Sequence, residues 1–118
     1  MSGGEGAWTL RIAGAAEADF EAIMAWTLEQ FGDVQAGLYA ETLSSAVQAL
    51  IGGPAQPGMK ARPEIGRGVF TLHVARNGRR GRHFVLFRTS ADPFHRQIDV
   101  LRILHDSMDL ARHAPEGE

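Results

Sequence analysis

The residues with the most chemical potential stand at the end of an apolar run: Ile98 to Leu104 leads without a turn residue into His105, Asp106 and Asp109. A histidine can donate or accept a proton near neutral pH, and a carboxylate beside it can orient its ring. Ile98, Val100 and Leu104 fall on one face of an extended chain, and Leu101 and Ile103 on the other, so this strand needs cover on both sides and belongs in the middle of a sheet. Loops at the ends of such strands carry function on a rigid scaffold. The competing reading is that the three polar residues cap a short C-terminal helix over SMDLARH, which stops before Pro115.

Arginine supplies most of the remaining chemistry. Arg88 and Arg102 each interrupt an apolar strand, where an unpartnered guanidinium would cost several kcal/mol. Either Asp99 or Asp109 neutralises them in an internal ion pair, or both line an open, ligand-facing surface. Arg76, Arg79, Arg80 and Arg82 cluster in RNGRRGR, where planar donor forks suit phosphate or carboxylate. Charge at an exposed hairpin tip also serves solubility and discourages edge pairing.

For phosphoryl chemistry His105 can act as general acid or base, and Arg88 can stabilise charge developing at phosphorus. A second proton-transfer group is hard to find, because Tyr39 lies on a helical stretch far in sequence from the strands and Lys60 in a loop. His73, His83, His95, His105 and His113 show no metal-ligand spacing, and the glycines at 52, 53 and 58 follow a helix rather than a strand, so neither a metal nor a cofactor is expected.

These residues need elements to position them. Trp8, Leu10 and Ile12 alternate with Thr9 and Arg11, the period of a half-buried strand. Phe20, Ile23, Met24, Thr27, Leu28 and Phe31 recur at three and four, which predicts a helix with one core-facing stripe. Gly32 supplies a left-handed stop, and Val34, Leu38, Leu43, Ala46, Val47 and Leu50 continue as a second helix, antiparallel to the first across so short a joint. Residues 52–68 hold eight glycines and prolines and predict a long irregular connection. Strands follow over 69–75, 82–89 and 97–104, the first two joined by a hairpin at Asn77-Gly78. The expected fold is α+β in the order β-α-α-β-β-β-α, an N-terminal helical hairpin packed on a small antiparallel sheet.

At 118 residues the chain suits one domain, with residues 1–7 a loose leader and 114–118 a tail. An apolar fraction of 44% and a charged fraction of 22% are ordinary for a globular protein, and no run is long enough to span a membrane. Without cysteine there is neither a disulfide framework nor thiolate chemistry, and no apolar signal region follows the start, so a cytoplasmic protein is expected. The net charge of −2 hides an asymmetry: residues 1–58 carry one cation against seven acids, the rest eleven cations against seven acids. Opposite surfaces can then attract partners of opposite sign, although a solvated face also produces such a split.

The stretch AEADFEAIMAWTLEQFG, the long amphipathic second helix, the Pro57-Gly58 turn, the VLFRT strand and the ending DVLRILHDSMDLARH together resemble the ParE toxins of the ParE/RelE superfamily, from bacterial type II toxin-antitoxin pairs. The resemblance runs from Leu10 to His113, and the ending, strand then histidine then aspartate, is its most specific piece. It implies a small toxin silenced by a ParD-like antitoxin that wraps a segment over it, with DNA gyrase as the expected target of a non-enzymatic poison. RelE-like relatives instead cut messenger RNA on the ribosome, with lysine, arginine and a tyrosine or histidine near the C-terminal end. Here no tyrosine follows the last strand and no lysine lies on the sheet, while His105 and the arginines remain. An inactive module that merely binds a partner is the third possibility.

On this reading Arg82, Arg88, Arg102, His105 and Asp109 face the target, and Trp26, Leu38, Arg76, Arg79 and Arg80 face the antitoxin. An antitoxin would cover Trp26 and Leu38, which otherwise stand as stray apolar groups, although Trp26 can equally anchor the core of the helical hairpin. Neither membrane association nor sequence-specific nucleic-acid binding by the toxin alone is expected.

Overall fold

The computed structural model describes residues 8–90, 92 and 94–108. They form β1 (Thr9–Ile12), α1 (Gly14–Ala49), a 3-10 turn (Leu50–Gly52), β2 (Met59–Ala61), β3 (Val69–His73), β4 (His83–Thr89) and β5 (Gln97–His105). The α+β class expected from the sequence is what is observed. α1 is interrupted at Gly32, whose φ of 89° and ψ of 179° leave the helical region. A side chain there would be strained, so glycine lets the chain break into two arms. The arms lie side by side, since Ala16 and Phe20 share a groove with Leu43 and Val47.

One five-stranded sheet runs in the order β1-β5-β4-β3-β2. Its antiparallel pairs follow the expected hairpin: Asn77 (φ 54°) and Gly78 (φ 80°) both take the left-handed conformations that a tight primed turn needs. Two features depart from expectation, and a third expectation lies outside the described residues. β1 pairs with β5 in parallel, so the sheet is mixed; these strands come from opposite ends of the chain and no hairpin dictates their direction. β2 pairs with β3 inside the segment expected to be irregular. Three residues are too short for periodicity to register, and the ladder of β3 extends them. The C-terminal helix expected over SMDLARH falls mostly outside the described residues; Ser107 and Met108 are in turn conformation.

A bulge alters the reading of β5. Leu86 pairs with Arg102 but Phe87 pairs with Val100, so one extra residue enters β5 and the alternation of faces slips. Ile98, Val100 and Ile103 consequently share one core with Val85, Phe87, Leu72 and the helical Leu43, Ala46 and Leu50. Leu104 turns to the other face with Leu86 and Val69, against Leu101 and Ile65. Strict alternation had put Leu104 with Ile98 and Ile103 with Leu101. β5 is covered on both faces, as its composition requires. Burying a side chain such as Leu43 or Phe87 contributes about 1.5–3 kcal/mol.

β1 ends at Ile12, so beyond Val100 that edge of β5 has no neighbouring strand. Asp19, near the start of α1, closes the gap: its carboxylate accepts the Ile103 N–H at 2.9 Å and both donors of the Arg102 fork at 2.7 and 2.9 Å. One side chain thus satisfies an orphan edge amide and a half-buried guanidinium, and ties the helix to the central strand.

Candidate functional site

Between the helical arms and the β3–β4 loop runs an open groove of about 1100 Å³. Ile23, Trp26, Phe31 and Leu38 give it an apolar wall, and Arg79, Arg80 and Arg82 rim the opposite side. Trp26 packs edge-on against Phe31 at 5.7 Å, yet the two rings remain 57% and 62% exposed. Trp26 is therefore a surface residue of the groove and not a core anchor. The helical arms approach the loop because their buried stripe of Leu43, Ala46 and Leu50 docks on the sheet, and Arg79 reaches back to the Thr42 hydroxyl at 3.4 Å.

At the inner end of this groove Tyr39, His83 and His105 converge. The Tyr39 hydroxyl meets His83 Nδ1 at 2.6 Å and accepts the Arg82 N–H at 3.1 Å, so its own proton is directed at the imidazole. Burial and the neighbouring His105 lower the His83 pKa to about 4, leaving the ring neutral at pH 7. Burial also raises the Tyr39 pKa, which keeps the phenol protonated. The rings of His83 and His105 meet edge to face at 5.3 Å, as expected for residues directly opposite each other on β4 and β5. His105 Nδ1 accepts from the Ser107 N–H at 3.2 Å and lies 2.8 Å from the Ser107 hydroxyl.

The opposite face of the same sheet end holds a second polar set. Ala75 N–H donates to His73 Nδ1 at 3.0 Å, which leaves the His73 proton on Nε2, 3.0 Å from Asp106 Oδ2. Asp106 also lies 3.5 Å from Arg82 Nε, and its backbone N–H donates to the Arg82 carbonyl at 2.7 Å. The His73 hydrogen bond is the main cause of a lowered Asp106 pKa, with the Arg82 charge adding to it. Asp106 is thus an ionised anchor and not a proton donor.

Of the ten residues singled out from the sequence, Trp26, Leu38, Arg79, Arg80, Arg82 and His105 meet in this one groove. The two groups assigned to separate partners therefore share a surface. Arg76 lies in the same loop, its carbonyl accepting the Arg79 N–H at 3.0 Å, but outside the groove lining. Arg102 is sealed by Asp19, which corrects both the open-surface reading and the expected partners Asp99 and Asp109. Asp19 holds the guanidinium still more firmly in its charged form. Arg88 sits half-buried opposite Asp99 and is not a free cation either. Asp109 lies outside the described residues.

Sequence reading missed Tyr39, His83 and His73. Tyr39 had been set aside as remote from the strands, yet the spacing Tyr39, Leu43, Ala46, Leu50 places it on the helical stripe that docks on the sheet. Among the described residues no cluster of three or more His, Cys, Asp or Glu can hold a metal ion. No described helix is long and apolar enough to cross a membrane.

The fold, an α-hairpin on a five-stranded sheet in this chain, is similar to that of several solved structures. A chromosomal ParDE system from P. aeruginosa aligns with a TM-score of 0.65 at 24% identity, covering 83% of this chain and 95% of that one. The toxin-antitoxin complex RelBE2 from Mycobacterium tuberculosis gives 0.55 at 21% identity, covering 84% and 98%. A YoeB/ParE toxin from Agrobacterium tumefaciens gives 0.53 at 12% identity, covering 82% and 96%. No curated protein matches the sequence. The model of the ParE toxin of the type II toxin-antitoxin system parDE matches residues 10–110. The chain belongs to this ParE toxin family.

Proposed function

We propose that this toxin acts by binding, inhibits DNA gyrase without catalysing a reaction, and is silenced by a ParD-like antitoxin whose segment lies in the groove. The observation that carries the antitoxin half is the groove itself, with Trp26 and Phe31 exposed along one wall and arginines along the other. Such a surface suits an amphipathic segment with apolar side chains on one face and carboxylates on the other. That two of the similar structures come from toxin-antitoxin systems supports the same partner. The non-enzymatic half is supported by the engagement of two charged groups: Asp106 is tied to His73, and Arg102 is tied to Asp19.

Expression of the chain alone, followed by a supercoiling assay with purified gyrase, tests this reading. Inhibition that is reversed by a ParD-like antitoxin is the expected result. Cleaved transcripts and arrested translation, with gyrase unaffected, would instead favour a RelE-type ribonuclease. One observation favours that second reading: Tyr39, distant in sequence, stands beside His83 and His105 in a groove rimmed by arginines. His105 would then be its general acid or base.

A further inference from the structure

The inner end of the groove holds two donors that the fold leaves unused. The Tyr39 hydroxyl accepts the Arg82 N–H and gives its own proton to His83 Nδ1, which places the His83 proton on Nε2. The Ser107 N–H donates to His105 Nδ1 at 3.2 Å, which places the His105 proton on Nε2 as well. His73 shows the same arrangement completed, for its Nδ1 takes the Ala75 N–H and its Nε2 meets Asp106 at 3.0 Å. For His83 and His105 no acceptor stands at Nε2 among the described residues, and both rings line the groove, 5.3 Å apart. A half-buried imidazole N–H without an acceptor forgoes a hydrogen bond, so this end of the groove is completed by a ligand that brings an oxygen.

The charge of the lining selects which oxygen. Arg79, Arg80, Arg82, His83 and His105 line the groove, and no Asp or Glu is among its described lining residues. Asp106 keeps its charge but approaches His105 on the Nδ1 side, with Oδ1 3.6 Å from that atom, and its Oδ2 lies between His73 Nε2 at 3.0 Å and Arg82 Nε at 3.5 Å. The facing wall comes from α1, which contains no lysine or arginine, and Ile23, Trp26 and Leu38 make that wall apolar. A nucleic-acid strand, with a charge on every residue, would find cations on one wall only. A peptide segment that turns apolar side chains to α1 and a carboxylate to the histidines matches both walls.

We infer that His83 and His105 form a carboxylate subsite, in which their Nε2–H groups donate to an Asp or Glu side chain of the antitoxin segment. The inference rests on the reading that an antitoxin lies in this groove, and adds the contact that makes its grip depend on pH. A carboxylate in contact favours the charged imidazole, so the complex holds more protons than the separate partners and tightens as pH falls. In the free chain burial, His105 and His73 oppose a charge on His83, while Asp106 and Asp19 favour it. Tyr39 from α1 and Arg82 just before β4 are the remaining ionisable groups at this end of the groove.

The test titrates the full chain with a ParD-like antitoxin in calorimetry at about pH 8 and about pH 6. His105 is the residue to alter, because its hydrogen bonds reach no further than Ser107. The unaltered chain should bind roughly threefold tighter at the lower pH, and His105→Leu should bind about tenfold weaker at both, with its thermal midpoint little changed. His105→Gln keeps an N–H near the Nε2 position and cannot titrate, so it should restore affinity at the higher pH and lose much of the gain at the lower. If His105→Leu does not fold, that loss of gain in His105→Gln decides in its place. Equal binding by His105→Leu and the unaltered chain, where Arg79→Glu with Arg80→Glu weakens binding, overturns the subsite and leaves the antitoxin in the groove. Rescue by His105→Gln with no gain at low pH in the unaltered chain overturns the carboxylate. If neither the arginine nor the histidine variants change antitoxin binding, the groove reading fails and the inference with it. Binding of a short RNA that is lost in His105→Leu overturns the proposed peptide occupant.

Discussion

Arg102 and the arginines of the β3–β4 loop have the same side chain and opposite fates. Arg102 projects from a central strand, where the missing extension of β1 leaves a bare edge amide; Asp19 fills that space, and the guanidinium becomes part of the scaffold. Arg79, Arg80 and Arg82 project from a loop over an open groove, where Arg82 remains 73% exposed even beside Asp106. An arginine within a strand has to be matched by the fold itself, because desolvating it unpaired is too costly. An arginine at a loop rim stays hydrated and free to meet an outside carboxylate.

That contrast predicts which arginines govern binding and which govern folding. Reversing the rim charges, Arg79→Glu with Arg80→Glu, should weaken antitoxin binding by about 3 kcal/mol through like-charge contact with an acidic segment, while unfolding free energy moves by less than about 0.5 kcal/mol. Calorimetric titration alongside denaturant unfolding measures both, and unchanged affinity would remove these arginines from the interface. Arg102→Ala should do the reverse, lowering stability by about 2–3 kcal/mol because the largely buried Asp19 carboxylate, still accepting the Ile103 amide, is left without its counter-charge. In a double-mutant cycle with Asp19→Ala the losses should be strongly non-additive.

The titrating groups extend the comparison to pH. His83 has a folded-state pKa of about 4 against 6.5 when unperturbed, so between those values the unfolded chain binds the proton and the folded chain does not. Stability is therefore complete above pH 6.5 and falls as pH drops towards 4, by about 1–2 kcal/mol after discounting for the exposed part of the ring. Asp106, with a lowered pKa, loses its share at still lower pH, as protonation takes it away from His73 and Arg82. Unfolding followed across this range should show the decline, and His83→Asn should flatten its upper part. The smallest effect is expected for Tyr39→Phe, about 1 kcal/mol, since it removes one hydroxyl that His83 and the Arg82 amide share. A larger loss would mean that the hydroxyl organises the whole loop.

Much of this molecule was legible in one dimension, because local periodicity reports which side of an element is apolar. The Gly32 break, the Asn77-Gly78 turn and the two-sided burial of β5 follow from spacing alone, whereas the helical stripes hold only away from the break: Leu28, Phe31, Val34 and Leu38, expected on a core face, stand exposed because the arms leave the sheet there. The groove residues Trp26, Leu38, Arg79 and Arg80 were legible for a related reason: they are apolar or charged where their own element gives them no use. What spacing could not supply was partnership across the chain. The meeting of Asp19 with Arg102 spans 83 residues and that of Tyr39 with His83 spans 44, and each depends on where a helix lands on a sheet. The bulge that exchanges the faces of Ile103 and Leu104 likewise arises from pairing with β4, not from β5 itself. Composition fixed which groups needed a counterpart; only the packing of α1 against β5 decided which counterpart each received, because an ion pair or a hydrogen bond is selected by position in space and leaves no periodic trace in the chain.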